Sequence, residues 1–289
     1  MLITVFTPTY NRAELLSALY RSLCRQTFSD FEWLIVDDGS EDNTQKVVET
    51  FIEEHKISVR YIRQENKGKH VAINLGANNA HGELFFIVDS DDSLPDNSLE
   101  IINSFYSQVR ADASFGGVCG YMSHHDGTVI GHGNEEDVLD ANSSELRYKY
   151  RIVGDMAEIF RTEVIRKFPF PMIKGEKFCP EALIWNRISK EYRLRIFKKV
   201  IYYRDYLQGG LTSKMTQIRM KSPVASMMCY AEMNALNIPV KDKVRAAVNY
   251  WRFWFCSRVA DKPEIGKAWR WAKPLGWMMH RRDLMRCGE

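Results

Sequence analysis

The feature of this 289-residue chain that most restricts its fold is an alternation running through its first hundred residues. Nearly continuous apolar runs (Leu2 to Thr7, Trp33 to Asp37, Val59 to Arg63, Leu84 to Val88) alternate with helical periodicity near Ala13 to Gln26, Asn43 to His55 and Val71 to Ala80. Strands apolar on both faces need cover on both faces, and strands separated by helices pair in parallel. The pattern therefore predicts βαβ units in an α/β body, a mostly parallel sheet with helices on both faces. Open sheets of this kind bind ligands beyond the carboxyl ends of their strands, so the residues after each apolar run are the place to look for chemistry.

Further along, the pattern is less regular. Phe115 to His125, the turn Asp126-Gly127 and Thr128 to His132 read as an antiparallel pair added to the sheet, and Leu194 to Tyr203 as one more strand. From about Thr212 onward the periodicity is helical, broken at Pro223, Pro239, Pro263 and Pro274. The expected domains are thus residues 1–212 and a C-terminal helical extension, residues 213–289. The longest apolar run, Leu84 to Val88, is far short of the ~18 residues of a membrane-spanning helix. No secretory signal is read at the N-terminus, which points to the cytoplasm. Six cysteines without a C-x-x-C pair argue against a structural zinc or a disulfide framework and read as buried thiols.

Three strand ends supply the polar groups. Asp89-Ser90-Asp91-Asp92 crowds three carboxylates onto one turn after Glu83 to Val88. Such crowding becomes tolerable when a hard divalent cation takes oxygens from one or two of the acids and leaves its other positions to water and phosphate; the competing reading is a solvated acidic turn ahead of the helix near Asp96. A calcium loop is excluded, because Leu94 stands where that loop needs its turn-making glycine and a strand precedes it. Asp37-Asp38-Gly39-Ser40 ends another strand, either as a plain turn or as an acid that accepts hydrogen bonds from a nucleobase or ribose. The third is Pro8-Thr9-Tyr10-Asn11-Arg12. Neither a Gly-x-Gly-x-x-Gly fingerprint nor a phosphate-binding lysine loop stands in its usual context.

In order and spacing, these motifs resemble family 2 glycosyltransferases of the GT-A fold. The resemblance covers roughly Leu2 to Tyr203. It rests on Thr7 to Arg12, Gln26-Thr27 with Phe31-Glu32, Val36 to Ser40, Asn66-Lys67-Gly68 through Asn74 to Gly82-Glu83, and Val88 to Asp92. It implies transfer of a sugar from a nucleoside diphosphate, most simply a UDP-sugar, to a glycan or lipid-linked acceptor. Asp89-Ser90-Asp91 matches the family's D-x-D motif, with Asp91 a direct ligand of Mg²⁺ or Mn²⁺ and Asp89 supporting the metal or the ribose. Asp38 would hold the base, with Pro8 and Tyr10 around it, and Lys69 and His70 lie where the family places a basic residue on the donor. Asn74 would order the helix or the metal loop. The acceptor hydroxyl needs a base, which in this family precedes an amphipathic helix ending in an apolar-Trp-x-Arg pattern. Pro180-Glu181-Ala182-Leu183-Ile184-Trp185-Asn186-Arg187 occupies that place, so Glu181 is the expected base; the family commonly has Glu-Asp where this chain has Pro180-Glu181. Read without the resemblance, Glu181 is a first-turn acid on a helix dipole. The stretch Gly120 to Val153 is expected to shape the acceptor side. Gln208-Gly209-Gly210-Leu211-Thr212-Ser213-Lys214 reads as a connector or as a lid whose Lys214 reaches the diphosphate. The rival readings are a non-catalytic nucleotide-sugar-binding subunit and a sugar nucleotidyltransferase.

The charge is unevenly divided. Residues 1–213 carry 25 Lys and Arg against 31 Asp and Glu, whereas residues 214–289 carry 15 against 6, together with five of the seven tryptophans. Val244, Val248, Trp251 and Phe255 form an apolar stripe at helical spacing, with Arg245 and Arg252 away from it. Such a helix can lie on an anionic membrane at its inner face, or pack on the body or on a second copy of the chain as a homo-oligomer. No nucleic-acid-binding signature accompanies it, and His280-Arg281-Arg282-Asp283 lacks the rest of a kinase catalytic loop.

Overall fold

The computed structural model describes residues 1–131, 136–204 and 214–287. Among these, β1 (Ile3–Thr9), β2 (Phe31–Asp37), β3 (Val59–Arg63), β4 (Leu84–Ile87), β5 (Phe115–Ser123), β6 (Val129–Ile130), β7 (Val138–Ala141), β8 (Met156–Arg161) and β9 (Arg193–Tyr203) form one sheet. The helices are α1 (Ala13–Cys24), α2 (Thr44–Glu53), α3 (Lys69–Asn79), α4 (Ser98–Ser107), α5 (Ser143–Tyr148), α6 (Thr162–Lys167), α7 (Glu181–Ile188), α8 (Met215–Lys221), α9 (Pro223–Ala235), α10 (Val240–Trp254) and α11 (Lys273–Cys287). A 3₁₀ turn covers Lys267–Ala272.

The strands stand in the order β3-β2-β1-β4-β8-β5-β9-β7, with β6 folded back on β5. The first four are parallel to one another, as their alternation with helices requires. Beyond β4 the sheet is mixed. β8 lies antiparallel to both β4 and β5, β5 runs parallel to β9, and β7 is antiparallel to β9. The antiparallel pairing of β5 with β6 is the one the sequence announced, although His132, at the end of the expected strand, lies outside the described residues. β8 carried no such signal. Glu158 interrupts its apolar run, and both of its partners are distant in the chain.

Packing divides the chain into two units. The first runs from Met1 to Pro169 and resumes from Ile188 through β9; the second joins Phe170–Arg187 to the chain from α8 onward. The expected boundary at residue 212 did not separate Phe170–Arg187 from the body.

In the first unit every residue of β1 and β2 is buried. Helix α1 turns Leu16, Leu19, Tyr20 and Leu23 inward, the spacing of one helix face, and Tyr20 stacks on Phe51 of α2 at 4.1 Å and on Trp33 of β2 at 6.0 Å. Burying each such ring or branched chain stabilises by about 1.5–3 kcal/mol. One charge is buried with them. Glu32 of β2 accepts from Thr4 Oγ1 (2.7 Å), the His81 amide (2.7 Å) and Arg60 Nη1 (2.8 Å). Burial acts to raise its pKa, but Arg60 and the two neutral donors outweigh that and hold it below the ordinary glutamate value.

The second unit, taken by itself, is helical. Its core joins Met227 of α9, Ala247, Tyr250, Trp251 and Phe253 of α10, and Ala272 of the 3₁₀ turn. The buried face of α10 is turned from the expected stripe: Trp251 is inside, but Val244, Val248 and Phe255 are only half-buried, while Ala246, Ala247, Tyr250 and Phe253 take the centre. Helices α9 and α11 flank α10, whose Ala246 and Ala247 are buried. Several tail cations are absorbed by this packing. Lys262 and Lys273 sit 3.8 and 4.3 Å from the Trp254 ring centre. No disulfide joins Cys24, Cys119, Cys179, Cys229 or Cys256, and burial pushes Cys179 up to about 12 and Cys229 up to about 11.

Because Glu32 has a folded pKa below its unfolded one, its contribution is present above roughly pH 4 and is lost as pH falls through the folded value. Glu32→Gln is expected to cost about 2 kcal/mol at neutral pH and less as the solution is acidified, read from denaturant midpoints across pH.

Candidate functional site

Since β1, β2 and β4 are parallel neighbours, their carboxyl ends reach one edge of the sheet. Thr9 stands opposite Asp37, the Asp38 amide donates to the Thr9 carbonyl (2.9 Å), and the Val88 amide donates to that of Phe6 (2.8 Å). Pro8 is buried within β1, and Tyr10, just past it, is exposed. The two turns are then fastened together. Asn11, at φ 51°, donates its amide to Ser40 Oγ (2.8 Å) and accepts the Glu41 amide on its side chain (2.8 Å), a left-handed conformation that asparagine tolerates. Gly39, at φ 83°, is required twice over, because a Cβ there would also come within 2.9 Å of the Asn66 amide nitrogen.

Asp38 is buried and organises the segment ahead of α3. Its Oδ1 accepts from Gln64 Nε2 (2.6 Å) and the Lys67 amide (2.8 Å), and its Oδ2 from the Gly68 amide (2.8 Å). A carboxylate has about four acceptor positions, so this arrangement uses three. Asp37 beside it is taken by the Ser40 amide (2.8 Å) and Tyr61 Oη (2.5 Å). The turn residue Asp37 is therefore structural, while Asp38 couples β2 to the start of α3.

In the acidic turn each carboxylate has its own partner. Lys69, the first residue of α3, places Nζ 2.6 Å from Asp89 Oδ1. Arg12 Nη1 lies 2.8 Å from Asp91 Oδ2. Tyr202, near the end of β9, donates its hydroxyl to Asp92 Oδ2 at 2.5 Å and accepts the Asp89 amide at 3.0 Å. Burial opposes ionisation of Asp89, but the charge of Lys69, followed by those of Arg204 and Arg12, carries its pKa below the ordinary value. Asp92 goes the other way. Burial, then the charges of Asp89 and Asp91, push it up to about 7, against the Tyr202 hydrogen bond. Ser90 is buried between them. A two-way backbone bridge between Ser93 and Tyr203 fixes the turn to β9.

The donor set suits a hard cation. Asp89 and Asp91 offer carboxylate oxygens at a turn, the arrangement that holds Mg²⁺ or Mn²⁺ when phosphate and water complete the sphere. Among the described residues no three acidic, histidine or cysteine side chains form a complete protein cage.

His70, buried, and Asn74 lie on α3 in the first unit, whereas two further sequence candidates lie in the second. Glu181 opens α7 directly after Pro180 and is half-buried; Lys214 is exposed just ahead of α8. The rest of the expected lid, Gln208 to Ser213, lies outside the described residues. Helix α7 is held by Leu183 and Ile184, both fully buried, and by Arg187, which forks onto Glu232 of α9 at 2.6 and 2.9 Å. The arginine of the apolar-Trp-x-Arg pattern is thus an anchor for the helix that Glu181 begins. Reasoning from sequence did not assign Arg12, Gln64 or Tyr202. Arg12 stood inside a recognised motif without a role, and Tyr202 reaches the turn only through strand pairing.

Residues 4–167 match the family described as Glycosyl transferase family 2. The chain belongs to that family. Glycosyltransferase GlyG of Streptococcus pneumoniae is 31% identical over 61% of this chain and 58% of its own length. GalNAc(5)-diNAcBac-PP-undecaprenol beta-1,3-glucosyltransferase of Campylobacter jejuni is 26% identical over 73% of this chain and 67% of its own. The match to GlyG thus spans less than two thirds of that protein. S. aureus TarS 1–349 in complex with UDP-GlcNAc superposes with a TM-score of 0.64 at 18% identity, covering 100% of this chain and 93% of the other. The mannosyltransferase PcManGT of Pyrobaculum calidifontis, in complex with GDP-Man and Mn²⁺, gives 0.57 at 19%, covering 99% and 76%. In this family 2 chain the fold is the expected GT-A type, with a C-terminal helical region.

Asp38→Ala removes the acceptor for three donors. It is expected to cost about 3 kcal/mol in denaturant unfolding and to speed hydrogen exchange at the Lys67 and Gly68 amides by more than at β1 amides.

Proposed function

We propose that this chain is a metal-dependent, inverting glycosyltransferase that moves a sugar from a nucleoside diphosphate, taken to be a UDP-sugar, to a hydroxyl of a glycan or lipid-linked oligosaccharide at the inner face of a membrane. The observation that carries this reading is the acidic turn Asp89 to Asp92 on the sheet edge it shares with Asp38, in a chain of glycosyl transferase family 2. The UDP-GlcNAc complex of TarS, the GDP-Man and Mn²⁺ complex of PcManGT and the undecaprenol-linked substrate in the Campylobacter protein's name support the donor, metal and acceptor classes.

In this reading Asp38 uses its remaining acceptor position for a base N–H, with Pro8 and Tyr10 beside it. Asp91 and Asp89 hold Mg²⁺ or Mn²⁺. When bound, the cation supplies neutralisation of the diphosphate charge. Ser90 and Lys69 serve the donor, and Lys69 and Arg12 keep the two acids positioned by direct ion pairs. Lys214 would reach the diphosphate. Glu181 takes the proton of the acceptor hydroxyl, whose oxygen then attacks the anomeric carbon opposite the leaving diphosphate. A single base with no second nucleophile gives inversion. Residues 1–212 would then carry the donor site apart from Lys214, and residues 213–289 would add a separate function.

Positioned general bases contribute typically ~10² to 10⁴ in rate, so Glu181→Gln is expected to lower transfer by that range while leaving UDP binding intact. Asp91→Asn is expected to abolish transfer and also the Mn²⁺-dependent thermal stabilisation by UDP. Normal turnover by Glu181→Gln would remove it as the base, and unchanged Mn²⁺-dependent stabilisation of Asp91→Asn would remove the metal role.

A further inference from the structure

Helix α11 has two unlike faces. On the inner one, Gly276 lies so close to α10 that a methyl there would overlap Trp251 and come within 2.8 Å of the Arg252 nitrogen. Asp283 receives both arms of the Arg252 guanidinium, one bond at 2.7 Å. These two contacts set the rotation of α11. Consequently Leu275, Met278 and Met285 point outward, with Trp277 beside them and Trp271 of the preceding 3₁₀ turn, all between 38% and 75% exposed. At about 100° per residue, Met278 and Met285 run along the centre of the outer face, Arg281 flanks them on one side, and Arg282 and Arg286 on the other. All three arginines are exposed. From Lys267 to Cys287 the chain has six lysines and arginines and one carboxylate, the buried Asp283.

We propose that this outer face of α11 docks on an anionic lipid surface, the apolar line entering the headgroup boundary and the arginines meeting lipid phosphates. Charge complementarity selects the occupant. A second copy meeting the same face would set arginines against arginines, and a nucleic-acid backbone would satisfy the arginines but leave Leu275, Met278 and Met285 in water. The helix lies along the surface, since among the described residues no helix is long and apolar enough to cross a membrane. The proposal goes beyond the transfer reaction and does not depend on it.

The test is co-sedimentation of the full chain with vesicles of phosphatidylcholine alone or mixed with phosphatidylglycerol, together with tryptophan emission. Wild type is expected to bind the mixed vesicles with a blue shift and to bind the neutral ones far more weakly. Arg281→Glu with Arg282→Glu is expected to weaken binding roughly 25-fold or more, and Met278→Ser with Met285→Ser to weaken it while leaving the melting temperature unchanged. Asp91→Asn is expected to bind vesicles as wild type does, so docking and transfer fail separately. Equal binding to both vesicles, full binding by the two charge-reversed arginines, or binding to single-stranded RNA but to no vesicle would overturn the proposal.

Discussion

Carboxylates gathered on one turn at the end of a buried strand repel one another by several kcal/mol; at 4 Å and an effective dielectric constant near 20 the figure is about 4 kcal/mol per pair. The fold answers each acid separately. Lys69 faces Asp89, Arg12 faces Asp91, and the Tyr202 hydroxyl faces Asp92. The result is an acidic site kept folded by partners drawn from the turn between β1 and α1, from α3 and from β9. Those partners also set its character: Asp89 is held in the charged form, while burial and its neighbours raise Asp92.

The same partners connect the two halves of the proposed donor site. Asp38 binds the amide of Gly68, and the next residue, Lys69, binds Asp89. A change at the end of β2 therefore reaches the end of β4 through one hydrogen bond, one peptide bond and one ion pair. This explains why a buried acid in a turn should spend three acceptor positions on the backbone and side chains of a single loop. The second unit obeys different physics. Its tryptophans and cations are partly consumed in its own core, through Trp251, Trp254, Lys262 and Lys273, while Trp277, Arg281, Arg282 and Arg286 stay exposed on α11.

The parallel half of the sheet was legible because its signal is local: an apolar run, a polar strand end, an amphipathic helix, repeated. The acids at the strand ends were legible for the same reason. What stayed hidden depended on distant pairing. β8 has no pattern apart from β4 and β5, and Tyr202 meets Asp92 only because β9 runs beside β5 and ends at the turn. Helical spacing puts Arg252 away from the apolar stripe; Asp283, 31 residues on in α11, makes it an internal tie. Amphipathic spacing located α10 but misplaced its centre, since a helix packed between two others buries alanines that hydrophobicity alone does not favour.

For the proposed transfer, the acids after β4 must meet a cation and a nucleotide diphosphate at one place. Diffraction at the manganese edge from crystals grown with UDP and Mn²⁺ tests this most directly. An anomalous peak in coordination contact with Asp91, with the diphosphate on its far side and the base at Asp38, is the expected result. UDP bound away from this sheet edge, or bound there with the Arg12–Asp91 pair intact and no manganese at the turn, would contradict it.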